Sequence, residues 1–247
     1  MLGAILSMLI TILVAVGVGI RLLRLSQRTG EFPEASAGVG LLTFALAQSC
    51  SLVMVGGHGS LSPGMSEFLR VLILVAFTVV SAGLAAFTVL TFGPNLWRCA
   101  LAALTILAGI LVRITIYARG LAVVGESGAD ATLPSLAAAT FAFTFLWMGV
   151  EGLAYYRKVA RAHALGLASA AVVNRFLVFG YGGLIAGVMT TGVAVAGLLS
   201  SMDAIGRPLI LLAGLVNSVA WTLSFAPPAA YQRFIEMQAQ QREANHA

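Results

Sequence analysis

Charge is the scarcest commodity in this chain: only 9% of its 247 residues are Asp, Glu, Lys or Arg, where a soluble domain carries about a quarter. That scarcity excludes an ordinary water-soluble fold. Residues 1–20, 35–66, 71–97, 131–150, 176–202 and 208–232 hold no charged side chain at all. Histidine is limited to His58, His163 and His246, none of them within a predicted membrane crossing. Neither bis-histidine haem ligation within a run nor an HExxH zinc site is therefore available. The two cysteines, Cys50 and Cys99, form no CxxC pair and read as small hydrophobes rather than redox or metal ligands. Nor is there the alternation of polar and apolar residues that a membrane β-barrel requires. On these grounds the chain is not expected to be an enzyme, and no catalytic residue, metal or cofactor is assigned.

What is present is apolar: 60% of the residues are hydrophobic, and mean hydropathy is +0.98. About 20 such residues cross a bilayer core of about 30 Å as a helix. The sequence predicts an all-α polytopic membrane protein with seven transmembrane helices, near 4–23, 37–56, 69–92, 97–117, 133–155, 174–200 and 207–226. Residues 1–228 form the membrane domain; 229–247 form a short, partly amphipathic tail, in which Tyr231, Phe234 and Ile235 share one helical face. The apolar stretch begins at Met1 with no basic leader, which reads as a retained first helix rather than a cleaved signal peptide.

Orientation follows from the basic residues. Arg21, Arg24, Arg28, Arg98, Arg157, Lys158, Arg161, Arg175, Arg233 and Arg242 fall at one set of helix ends. Arg70, Arg113, Arg119 and Arg207 belong to the other. The positive-inside rule places the larger set in the cytoplasm, with the N-terminus outside and the C-terminus inside. The expected location is a cell membrane, of bacterial inner-membrane type. The net charge of +5 thus serves topology, and nucleic acid is not an expected partner. Arg157, Lys158 and Arg161 are expected to meet anionic lipid, and the cytoplasmic face could dock a separate protein.

Two strings recur. T-F-G-P-N-L-W-R (91–98) ends the third helix, and S-F-A-P-P-A-A-Y-Q-R (224–233) ends the seventh. Proline stops each helix, an aromatic sits at headgroup level and an arginine follows. The starts of the same two helices also match, as Arg70-Val-Leu-Ile-Leu and Arg207-Pro-Leu-Ile-Leu. A parallel repeat of helices 1–3 and 5–7 around helix 4 is expected on this basis. The G-V-G strings at 17–19 and 38–40 and G-Y-G at 180–182 read as sites of close helix packing rather than phosphate loops.

This plan of three, one and three helices resembles that of the SWEET and PQ-loop sugar transporters, and that of the microbial rhodopsins. The Pro-Gln dipeptide of the PQ-loop proteins is absent. The sole lysine, Lys158, lies in a predicted loop rather than in the seventh helix, which excludes a retinal Schiff base.

Ionisable groups at membrane depth are the first candidates for function. Arg113 lies toward the outer end of helix 4, about 20–25 Å above its inner end, while Glu151 lies about 6 Å above the inner end of helix 5. They are not expected to pair. Glu151 should meet Lys158, Arg175 or Arg98; Arg113 should snorkel with Arg119 or face Glu67, Glu126, Asp130 or Asp203. Among neutral groups, Gln48, Thr190, Thr191 and Asn217 lie near mid-depth, with Trp221 one turn beyond Asn217. Together they suggest a midplane pocket between helices 2, 6 and 7. The expected function is a transporter or binder of a small or lipid-like solute; the alternative is a non-catalytic seven-helix sensor or an accessory subunit of a membrane complex.

Overall fold

The computed structural model of the chain describes residues 2–57, 60–121, 131–199 and 201–246. They form eight helices, with no strand among the described residues: α1 (Leu2–Thr29), α2 (Phe32–Gly56), α3 (Pro63–Phe92), α4 (Leu96–Ala118), α5 (Thr132–Ala164), α6 (Ala170–Leu198), α7 (Arg207–Phe225) and α8 (Ala229–His246). A π-helical turn, Met202–Gly206, leads into α7. Helices α1 to α7 are each long and apolar enough to cross a membrane.

The helices outrun their apolar cores. No residue in the stretch Arg21–Thr29 breaks a helix, so α1 continues through its arginines until Gly30 turns the chain at a φ of 73°. Only Gly30 and Glu31 separate α1 from α2, where the hydropathy pattern suggests a longer loop. Likewise α5 carries Arg157, Lys158 and Arg161 on its last turns. Starts are capped where the sequence provides an oxygen. Ser62 Oγ accepts from the Met65 amide at 3.3 Å, and Asn95 Oδ1 accepts from the Arg98 amide at 2.8 Å.

Each helix from α1 to α7 packs on its neighbours in sequence, α7 returns to α1, and α3 touches α5 directly. Helix α4 therefore lies outside a ring of six, in the groove between α3 and α5. Its inward stripe explains how it fits there: Ala102, Thr105, Gly109, Arg113 and Ile116, spaced three or four apart, are buried. The opposite stripe, Leu104, Leu107, Leu111 and Ile114, is exposed and suited to lipid.

Glycine sets the closest approaches. On α5 and α6, a Cβ at Gly149 would lie 2.6 Å from the Leu184 nitrogen, and one at Gly183 would lie 2.9 Å from the Gly149 Cα. On α1 and α2, a Cβ at Gly38 would lie 3.0 Å from the Gly19 oxygen. Gly83 of α3 meets Gly40 of α2 in the same way, at 3.2 Å, and a Cβ at Gly182 of α6 would collide with Ala220 of α7. Main chain lies against main chain at these seams, the packing expected of small residues between membrane helices. The expectation for G-V-G and G-Y-G holds at Gly19, Gly38, Gly40, Gly180 and Gly182. Gly17, by contrast, has nothing within 4 Å.

Candidate functional site

Two layers of aromatic rings divide the interior of the ring. The first joins Phe44 of α2, Phe77 of α3, and Phe141 and Phe145 of α5, with ring centroids 4.9–6.4 Å apart in the contacting pairs. The second joins Phe87 of α3, Phe179 of α6, and Trp221 and Phe225 of α7, with centroids 5.2–6.3 Å apart. Phe77 and Phe87 stand about 15 Å apart along α3. Edge-to-face contacts dominate both layers, the geometry in which aromatic rings attract.

Between the layers lies a central cavity of about 30 Å³, room for about two waters. Val80, Leu84, Phe141, Phe145 and Trp221 make its walls apolar, and Thr11, Asn217 and Ser218 bring polar groups to it. On the other side of the second layer lies a larger cavity of about 220 Å³. It sits at the end of the bundle that holds Arg28, Arg98 and Arg175. Phe87, Phe179 and Phe225 form its apolar wall, and Glu31, Glu34, Thr91 and Arg175 contribute its polar atoms.

Of the five neutral residues singled out in the sequence, Asn217 and Trp221 line the central cavity; Gln48, Thr190 and Thr191 do not. The reason is local for the threonines. Thr190 Oγ1 donates to the Ala186 carbonyl at 2.7 Å, and Thr191 Oγ1 to the Gly187 carbonyl at 2.8 Å. Each is satisfied by its own helix and needs no partner across the bundle. The side-chain amides of Gln48 and Asn217 meet no hydrogen-bonding group of the described residues.

Glu151 meets one of its three expected partners. Arg98 Nε and Nη2 donate to its two carboxylate oxygens at 2.8 and 2.7 Å, a bidentate pairing. Arg98 Nη1 donates as well to the Phe92 and Gly93 carbonyls at 2.7 and 3.0 Å. One side chain thus caps the end of α3 and ties it to α5. The string around Pro94 is consequently more than a membrane exit: it builds this clasp.

Arg113 departs from expectation. It is 6% exposed, and its Nη2 donates to Ser81 Oγ of α3 at 3.3 Å, while Nη1 is buried without a partner. It does not snorkel, because it sits on the inward stripe of α4, and its guanidinium folds back against Gly109. Of the acids expected to face it, Glu67 pairs with Arg70 at 3.3 Å; Glu126, Asp130 and the Asp203 side chain, like His58 and the His246 side chain, lie outside the described residues.

The larger cavity was not legible in the sequence. Its acids fall where hydropathy suggests a loop, and only the early start of α2 brings Glu34 against α3. No group of three or more His, Cys, Asp or Glu able to hold a metal occurs among the described residues.

No protein-family model, curated protein or solved structure matches the chain. The geometry of the two cavities is what bears on function.

Proposed function

We propose that the protein is a membrane transporter for a small solute, which passes through the ring of six helices between the triplets α1–α3 and α5–α7. The observation that carries this reading is the central cavity, held between two aromatic layers and followed by a larger vestibule. Such a series suits a route through the ring: a central space bounded by an aromatic layer toward each end, with a larger chamber beyond one of them. Asn217 and Trp221 are its candidate ligand contacts.

The repeat is supported by the seams. Gly149 approaches Leu184 and the Gly180 oxygen just as Gly19 approaches Leu42 and the Gly38 oxygen. Gly180 meets Leu153 as Gly38 meets Leu23. The contact of α3 with α5 has its counterpart in that of α7 with α1. Two triplets related in this way recur in transporters, with the solute between them. We take the basic end, with the vestibule, as cytoplasmic by the positive-inside rule, in a cell membrane. Arg157, Lys158 and Arg161 then face anionic lipid.

Labelling tests the reading. In a chain with Cys50→Ala and Cys99→Ala, Ser218→Cys should react with a membrane-impermeant thiol reagent added to the vestibule side of oriented vesicles. Failure to react from either side, in protein shown to be folded, overturns a transport route through this cavity.

A second reading has its own support. The smallness of the central cavity suits a sealed sensor or accessory subunit, and Asn174 Nδ2 donates to Tyr231 Oη at 2.7 Å, linking α6 to α8 as an output at the cytoplasmic face. A Ser218→Cys thiol that stays unreactive favours this reading.

A further inference from the structure

The vestibule holds an unusual set of unsatisfied groups. Glu34 Oε2 and Thr91 Oγ1 are both buried, and neither has a hydrogen-bonding partner. The two residues line one cavity, from α2 and α3. A carboxylate oxygen can only accept a hydrogen bond, and a hydroxyl oxygen can accept one too. Leaving such atoms unpaired away from water is costly, so the pair calls for a donor. Glu31 adds a second carboxylate, while Arg175 lines the same cavity and pairs with neither acid. The remaining wall is apolar and mostly aromatic: Phe87, Phe176, Phe179 and Phe225, with Pro33 and Leu90. Ring faces attract cations, and the start of α2 contributes no cation of its own.

We propose that the vestibule binds the ammonium group of a small organic amine, with Glu34 as its counter-ion, Thr91 as a second acceptor and the phenylalanine rings around its apolar part. This rests on the transport reading for its purpose but not for its existence, because binding can be measured without transport. An unpaired Arg175 in the same cavity allows the same ammonium to arrive on a zwitterion, with a carboxylate directed to the arginine. The ammonium contact is common to both ligands.

The probes are phenethylamine and phenylalanine, each titrated calorimetrically into the purified full chain in nanodiscs. Phenethylamine should bind, and Glu34→Gln should weaken it by about 10–100-fold, the loss of one charge-assisted hydrogen bond. Thr91→Val should weaken it less, and it guards against a Glu34→Gln protein that fails to fold. No binding of either probe to the folded wild-type chain, or equal binding by wild type and Glu34→Gln, overturns the proposal. Phenylalanine binding more tightly than phenethylamine, with the advantage lost in Arg175→Gln, identifies a zwitterion; equal affinity identifies the amine alone. Amine binding without uptake into proteoliposomes would remove the transport reading and leave the site.

Discussion

Arg98 and Glu151 are joined by two parallel hydrogen bonds across α4 and α5, while the same guanidinium closes the carbonyl end of α3. Four of its five N–H groups are engaged, two by the carboxylate and two by the carbonyls. Removing either partner leaves the other desolvated. Glu151→Gln should therefore lower folding stability by about 2–3 kcal/mol, read as a fall in the thermal midpoint in detergent. Arg98→Ala should cost more than Glu151→Gln, because it also uncaps α3; equal losses would show that the carbonyl contacts contribute little.

The glycine seams give a contrast between two substitutions of the same kind. Gly149→Ala forces a methyl against the Leu184 main chain and should destabilise by about 1–3 kcal/mol, the range of overpacking. Gly17→Ala meets open space and should stabilise by about 0.5–1 kcal/mol through helix propensity. Thermal midpoints of the two variants against wild type decide it.

Trp221 lines the central cavity and packs on Phe87, Phe179 and Phe225, which line the vestibule. Trp221→Ala should join the two cavities and speed labelling of Ser218→Cys from the vestibule side by about tenfold or more, since access to a pre-formed chamber replaces a rare opening. Unchanged kinetics would place the barrier at another ring of the layer.

Arg113 is a buried cation with a single long hydrogen bond. Arg113→Leu removes a charge from membrane depth, where it costs about 2.5–3.5 kcal/mol on insertion scales, and should raise the thermal midpoint. A lower midpoint would show that the bond to Ser81 and the packing of the side chain outweigh the cost of burying the charge.

The seven crossings were legible because long apolar runs leave little else to build. Arg98 was legible as one of three partners for Glu151, since helix direction fixes which ends meet. Thr190 and Thr191 lie off the central cavity because a mid-membrane hydroxyl can bond to its own helix, so depth alone does not place it at a pocket. Arg113 misled because its height suggested snorkelling, although the stripe Ala102, Thr105, Gly109 already marked its face as inward. The aromatic layers could not be read at all. Phe44, Phe77 and Phe141 belong to three helices, and only the register between those helices brings the rings together.

The seams also decide where the molecule can bend. Side-chain layers yield under load by changing rotamer, but a seam of main chain against main chain has nothing to compress. Helices α5 and α6 should travel as one stiff plank, as should α1 and α2 around Gly19 and Gly38. Compliance is left to the two joints between triplets, and these are not alike. The α3–α5 joint has α4 laid along it like a splint, pinned by Arg98 at the vestibule end. The α7–α1 joint has no such brace: its described polar contact is Ser7 Oγ to the Leu211 carbonyl, at 3.4 Å. A clam hinged at α4 would open along the α1–α7 edge.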